Sequence, residues 1–325
     1  MATKLILCIL LTHNMLLYCA SAAVHSHGMD NVERESDGSF RARDYDHYGD
    51  SGHNTEFDHE AILGSVREAE EFDKLSPDEA KVRLSQLIPK MDINSDNFVD
   101  RSELKKWILK SFLNLAREEA QERLSEADND HDGAVSWAEY LNLFGVEAED
   151  EIAADDTGDT GMTLKEERGM WVVADANSDG LLELDEFQMF TNPEEYQEMH
   201  PFLINQTLNE KDTNRDGFIS FHEYIGDRGA QQDKDWLLVE KEKFDGELDM
   251  NKDGMIDLKE IRTWIIPDND EIATEEVDHL FAAADDNHDD LLSYDEILEH
   301  HEVFVGSDAN DSAGDFYGEH FDDEL

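Results

Sequence analysis

Apolar residues along this chain come in short runs spaced three and four apart, and the runs are separated by strongly acidic stretches. Leu104, Trp107, Ile108 and Phe112 show the rhythm, which places them on one face of a helix turned toward a core. Helix starts are legible as well. In SPDEAKVRLSQLI, Ser76 stands as N-cap, Pro77 at the first helical position and Glu79 closes a capping box. Thr163 and Glu166 repeat that box ahead of LKEERGMWVVA. Pro89, Pro201 and Pro267 are expected to end or bend helices where they fall. The stretch GVEAEDEIAADDTGDTG, residues 145–161, has little apolar periodicity and reads as a linker. Between the helices single aliphatic residues recur at Val99, Val135, Leu182, Ile219, Ile256 and Leu292, each expected in a short strand that pairs with a neighbour.

The acidic stretches share a grammar. DANSDGLLELDE, residues 175–186, puts oxygen-bearing side chains at alternate places, a glycine in the middle and a glutamate at the end. Such side chains converge on one point, which suits a hard cation. Asp175, Asn177 and Asp179 hold positions one, three and five, Leu181 offers its carbonyl at seven, and Glu186 closes at twelve. Gly180 at six allows the bend. The pattern repeats as Asp128, Asp130, Asp132, Ala134, Glu139; as Asp212, Asn214, Asp216, Phe218, Glu223; and as Asp249, Asn251, Asp253, Met255, Glu260. Two further loops depart at the bend: Asp92, Asn94, Asp96, Phe98, Glu103 surround Asn97, and Asp285, Asn287, Asp289, Leu291, Glu296 surround Asp290. This is the EF-hand signature, six times over, and it predicts up to six Ca2+ ions, with weaker or altered binding in the first and last loops.

The fold class is therefore all-α: helix-loop-helix units in three pairs, with short β contacts between loops. Loop starts at 92, 128, 175, 212, 249 and 285 leave one long interval, taken as a boundary, so loops one and two, three and four, and five and six are expected to pair. The predicted organisation is a signal peptide over 1–22, a flexible acidic His/Asp-rich segment over 23–68, and a first pair over 69–146. A linker over 147–161, a second pair over 162–228, a third over 229–304 and a tail over 305–325 complete it.

Composition narrows the setting. Residues 1–22 contain Lys4, an apolar run and Ala20 and Ala22 at the small-residue positions of a cleavage site, which predicts a secretory signal rather than a membrane span. No later segment is apolar for long enough to cross a bilayer. Both cysteines, Cys8 and Cys19, lie inside that leader, so the processed chain has no disulfide and relies on metal for cross-linking. The net charge of −55 becomes −56 once Lys4 is removed, and six Ca2+ would leave −44. Such a charge disfavours direct contact with nucleic acid or anionic membranes and favours basic protein surfaces. It also predicts a chain that gains order when calcium binds.

The chain ends HFDDEL, which resembles an endoplasmic-reticulum retrieval address except at Asp322. Together with FDHEAILG (57–64), EFDKLSP (71–77), NPEEYQEM (192–199), EYIGD (223–227) and FVGS (304–307), these features resemble the CREC family, the reticulocalbin and calumenin group. The resemblance implies a low-affinity calcium binder of the secretory pathway that modulates or chaperones client proteins, calcium pumps or channels, and that meets the retrieval receptor through its C-terminus. Two alternatives accompany it: a sensor that opens an apolar groove to a target, and a signal-less form acting on DNA supercoiling with a topoisomerase. Position nine of the loops varies in charge, and the sites are expected to be weak, in the range of about 10⁻⁴ to 10⁻³ M. Asn205 and Asn310 head glycosylation acceptor patterns. His25, His27, His47, His53 and His59 match no ordered metal spacing and are read as part of the flexible segment. No nucleophile elbow, phosphate-cradling loop or zinc spacing appears, so no enzyme is expected.

Overall fold

The computed structural model describes residues 34–143 and 159–306, apart from positions 36, 46, 50 and 51. The predicted signal peptide, His25, His27, Asn310 and the HFDDEL tail lie outside the described residues, as does nearly all of the predicted linker. No helix among the described residues is long and apolar enough to cross a membrane.

A two-residue ribbon, β1 (Tyr48–Gly49) and β2 (Gly52–His53), leads into α1 (Thr55–Leu63) and α2 (Val66–Asp73). Then come α3 (Pro77–Met91), β3 (Phe98–Asp100), α4 (Arg101–Ala127), β4 (Ala134–Ser136) and α5 (Trp137–Leu143). Beyond the undescribed stretch follow α6 (Asp159–Ala174), β5 (Leu181–Glu183), α7 (Leu184–Thr191), a 3₁₀ turn over Pro193–Glu195 and α8 (His200–Lys211). Next are β6 (Ile219–Ser220), α9 (Phe221–Ile225), α10 (Lys234–Lys243), a π turn over Phe244–Leu248, β7 (Met255–Ile256) and α11 (Leu258–Ile265). The series closes with α12 (Asn269–Ala284), β8 (Leu291–Ser293), α13 (Tyr294–Glu299) and α14 (His301–Val305).

The short strands form where expected but not between the expected partners. Val99 faces Leu292, Val135 faces Leu182, and Ile219 faces Ile256, all in antiparallel register and all fully buried. Loops two and three therefore pair, loops four and five pair, and loop one pairs with loop six. The expected one-two, three-four, five-six pairing is overturned. The physical reason lies in α4, which leaves loop one and runs unbroken into loop two: 27 residues of helix span about 40 Å and hold those loops at opposite ends. Between Arg101 and Ala127 there is no glycine or proline to break it. The long interval between loops two and three is then the connection inside a pair, not a boundary.

Three cores follow the three pairs. The first gathers α1 to α4 with α12 to α14, around Leu84, Ile88, Leu104, Phe112, Phe281 and Phe304. The second encloses loops two and three around Trp137, Tyr140, Trp171 and Phe190, whose rings meet edge to face or tilted at 5.0–5.7 Å. The third, for loops four and five, contains Tyr224, Phe244, Ile261 and Trp264 and also receives Phe40 from the leading segment. Helix α4 joins two of them, with Leu104 to Phe112 in the first and Ala120 and Ala127 in the second.

The segment read as flexible is partly ordered, a second correction. Ile62 and Leu63 are buried in the first core, and the Trp107 indole donates to the Ile62 carbonyl at 2.7 Å. His59 is buried and lies 3.1 Å from the Glu302 carbonyl oxygen, which ties α1 to α14. Gly306 has φ 66°, and a Cβ there would meet His59 and Asp73 within 3.0 Å, so only glycine lets the chain pass. The prolines behave by position: Pro89 sits inside the last turns of α3, Pro201 opens α8, and Pro267 separates α11 from α12. An opening proline loses no hydrogen bond, because its missing N–H falls among the unpaired ones.

Candidate metal centres

Every loop runs from the C-terminal end of one helix to the first turn of the next, and its backbone is folded by its own ligand side chains. The position-one aspartates Asp92, Asp128, Asp175, Asp212, Asp249 and Asp285 accept the position-six N–H at 2.7–3.1 Å. The position-five carboxylates accept the position-seven N–H of Phe98, Ala134, Leu181, Phe218, Met255 and Leu291 at 2.9–3.0 Å. At the far end, Glu103, Glu139, Glu186, Glu223, Glu260 and Glu296 each accept the position-nine N–H at 2.8–3.3 Å. In the first four loops their other carboxylate oxygen accepts the N–H groups of positions two and three. One carboxylate thus draws both ends of the loop together. In loop two, ligand atoms of Asp128, Asp130 and Glu139 lie within 4.8 Å of one another, a separation that one small cation spans.

Loops one and six keep this geometry despite lacking glycine. Asn97 has φ 68° and Asp290 φ 62°, beside 84° to 92° for the four glycines at the same position. Asn and Asp tolerate that left-handed region better than other side chains. All thirty predicted ligands therefore stand in loops of one shape, and a hard divalent cation fits the all-oxygen donor set.

Three features of the site escaped sequence reading. Position four is left-handed in every loop: Ser95, His131, Ser178, Arg215, Lys252 and His288 have φ between 57° and 63°. No residue type is common to these six, so nothing in the sequence marked them. Position nine was counted toward anionic ligands, yet Asp100, Ser220, Asp257 and Ser293 cap the next helix, accepting its backbone N–H groups. Finally, loops one and six reach into each other: the Tyr294 hydroxyl donates to Asp92 at 2.9 Å, and Arg101 pairs with Asp290 at 3.4 Å and with Asp278.

In three of the ligands these bonds favour the ionised carboxylate. Burial pushes Glu223 upward, but the N–H and hydroxyl of Ser220, the Asn214 N–H and the Thr213 hydroxyl outweigh it and hold Glu223 at about 2. Asp92 and Glu139 are likewise lowered, as donated hydrogen bonds overcome the opposing effect of burial.

The opposite case is Glu194, in the 3₁₀ turn after α7. Burial, reinforced by Glu195, pushes it up to about 7, and its Oε2 accepts no hydrogen bond. An unfolded glutamate releases its proton near the ordinary value of 4.5, whereas the folded chain keeps it until about 7. Glu194 therefore supports folding fully at acid pH and loses that support as pH rises through 7. Glu194→Gln is expected to raise the melting temperature at pH 7.5 by several degrees and leave it unchanged at pH 4, both read by calorimetry at fixed calcium.

The glycosylation candidate Asn205 lies exposed on α8, while Thr207 of the same acceptor pattern is buried.

Comparison with known proteins agrees with the loops. A family model described as an EF-hand domain pair matches residues 90–145, and one described as an EF hand matches 173–191, 204–225 and 246–266. The two loops inside 90–145 are neighbours in sequence only, since each pairs elsewhere. Reticulocalbin-2 of Mus musculus is 37% identical over 290 residues, covering 86% of this chain and 90% of that one. Reticulocalbin-2 of Crotalus adamanteus is 36% identical over 269 residues, covering 80% and 88%. The Rattus norvegicus protein of the same name is 36% identical over 290 residues, covering 86% and 90%.

Proposed function

The chain belongs to the CREC family of reticulocalbins, and from that premise we propose that it is a low-affinity calcium-binding protein of the secretory-pathway lumen, ordered by calcium and acting on client proteins. That it binds calcium rather than catalysing a reaction rests on the six all-oxygen loops, which already engage the convergent carboxylates. The luminal setting rests on the apolar stretch within residues 1–22, and the contact with the retrieval receptor on the resemblance of HFDDEL to a retrieval address. The observation that carries low affinity is the hydrogen bonding of the position-one and position-twelve carboxylates to loop backbone. A cation must share oxygens already engaged.

The client role follows from charge. At −44 even with six calcium ions bound, the surface attracts basic protein surfaces; calcium pumps or channels as clients are what the family resemblance adds. A second reading, a sensor presenting an apolar face to a target, is favoured by α10: none of its residues is buried, and Leu238 and Val239 are 59% and 62% exposed. One experiment separates the two. Calorimetry is expected to give dissociation constants of about 10⁻⁴ to 10⁻³ M, with no gain in retention on a hydrophobic resin when calcium is added. Sub-micromolar binding together with retention that calcium increases would instead establish the sensor.

A further inference from the structure

A second convergence of ligand atoms lies away from the loops, where the leading segment folds onto α12. His47 precedes β1 and His53 ends β2, Asp58 lies in the first turn of α1, and Glu276 and His279 occupy successive turns of α12. His47 Nε2 lies 2.7 Å from Asp58 Oδ1 and 2.9 Å from His53 Nε2. His53 Nε2 in turn lies 3.0 Å from Asp58 Oδ2. His279 Nε2 approaches Asp58 Oδ2 at 3.5 Å, and Glu276 Oε2 stands 3.9 Å from His47 Nε2.

The directions matter more than the distances. A ring nitrogen has one in-plane direction, carrying either a proton or a lone pair. His47 Nε2 has both the carboxylate and the second ring within reach, so its single direction cannot serve both, and the same holds for His53. Ligand atoms of His47, His53 and Asp58 all lie within 4.8 Å of one another, a separation that one ion can span. The carboxylates are dry: Asp58 and Glu276 are each 1% exposed, and both Glu276 oxygens lack a hydrogen-bond donor. Burying an unpaired carboxylate is costly, and a nearby cation removes that cost.

We propose that His47, His53 and Asp58, with His279 and Glu276 beside them, form a site for a divalent transition-metal ion of the zinc type, distinct from the six calcium loops. Imidazole nitrogens with one or two carboxylates select zinc-like ions, whereas calcium takes six to eight oxygens. The five residues come from the ribbon segment, from α1 and from α12, which lies more than two hundred positions further along the chain, so the ion fastens the leading segment onto the helix that enters loop six. Phe57, from α1, fills the space beneath: its ring lies 4.6 Å from that of His47 and 6.1 Å from that of Phe112 in the first core. With donors on several sides and little exposure, the site is structural in kind.

The test uses the purified protein in excess calcium, so that the loops are filled before zinc is added. Calorimetry with zinc alone is expected to show one ion per chain, and cobalt in its place is expected to give the intense visible absorption of a tetrahedral site. His53 is the most exposed of the five, so His53→Gln tests the site with little risk to the fold, checked by circular dichroism. It is expected to weaken zinc binding at least about tenfold and to leave the calcium titration unchanged. Absence of a zinc equivalent in calcium-loaded protein overturns the proposal, as does an unchanged zinc isotherm in folded His53→Gln. Because calcium binding is followed separately, failure of the zinc site leaves the calcium reading intact.

Discussion

Removing calcium with excess chelator is expected to abolish most of the helical circular-dichroism signal, and restoring calcium to recover it. The magnitudes favour this over a chain that merely loosens. Three carboxylates of loop two lie within 4.8 Å of one another. Each such pair repels by about 1 kcal/mol in a water-like medium and about 3 kcal/mol at an effective dielectric constant of 20. Three pairs in one loop then repel by roughly 3 to 10 kcal/mol before the N–H groups donated to Asp128 and Glu139 offset part of it, on the scale of a domain's whole stability. A net charge of −55 adds long-range repulsion, strongest at low salt. Weak binding is sufficient to reverse the balance. With free calcium at ten times the dissociation constant, each loop contributes about 1.4 kcal/mol, and six contribute roughly 8 kcal/mol. No disulfide stands in reserve among the described residues, which contain no cysteine. An undiminished helical signal in the presence of chelator would show that the three apolar cores suffice without metal.

The revised pairing has a large and specific consequence. Glu296→Gln, which removes one charged ligand of loop six, is expected to weaken calcium binding in loop one by about five- to a hundredfold while leaving loops two and three unaffected. Coupling of that order is typical between linked sites. The route is physical: Val99 and Leu292 pair across the short sheet, and Tyr294 of loop six donates to Asp92 of loop one. A loop six that fails to close withdraws both. By the same reasoning Glu186→Gln in loop three should weaken loop two, its strand partner. Nuclear magnetic resonance titration, following the position-six amide of each loop, resolves the sites individually. If Glu296→Gln instead weakened loop five, its neighbour in sequence, the strand register would not be what couples the loops.

Much of the pairing could have been read from one negative signal. The stretch from Arg101 to Ala127 lacks any helix breaker, so a continuous helix holds loops one and two far apart. Once loops one and two are separated, neighbour pairing leaves two with three, four with five, and six with one. The equal spacing of the remaining loops obscured that inference. Nothing comparable marked the histidine cluster, because His47, His53 and Asp58 become neighbours of Glu276 and His279 only when the leading segment reaches α12.

The sequence by itself determined the six loops, their ligands, the aliphatic residue at the eighth place and the helices on either side. Each of these depends on groups within twelve positions of one another, where covalent geometry and local hydrogen bonds leave few choices. Only the tertiary structure decided which loop faces which, where the leading segment docks and which side chains meet across the first core. Those outcomes depend on the rigid length of α4 and on the burial of apolar faces from opposite ends of the chain, and neither is a property of any short stretch.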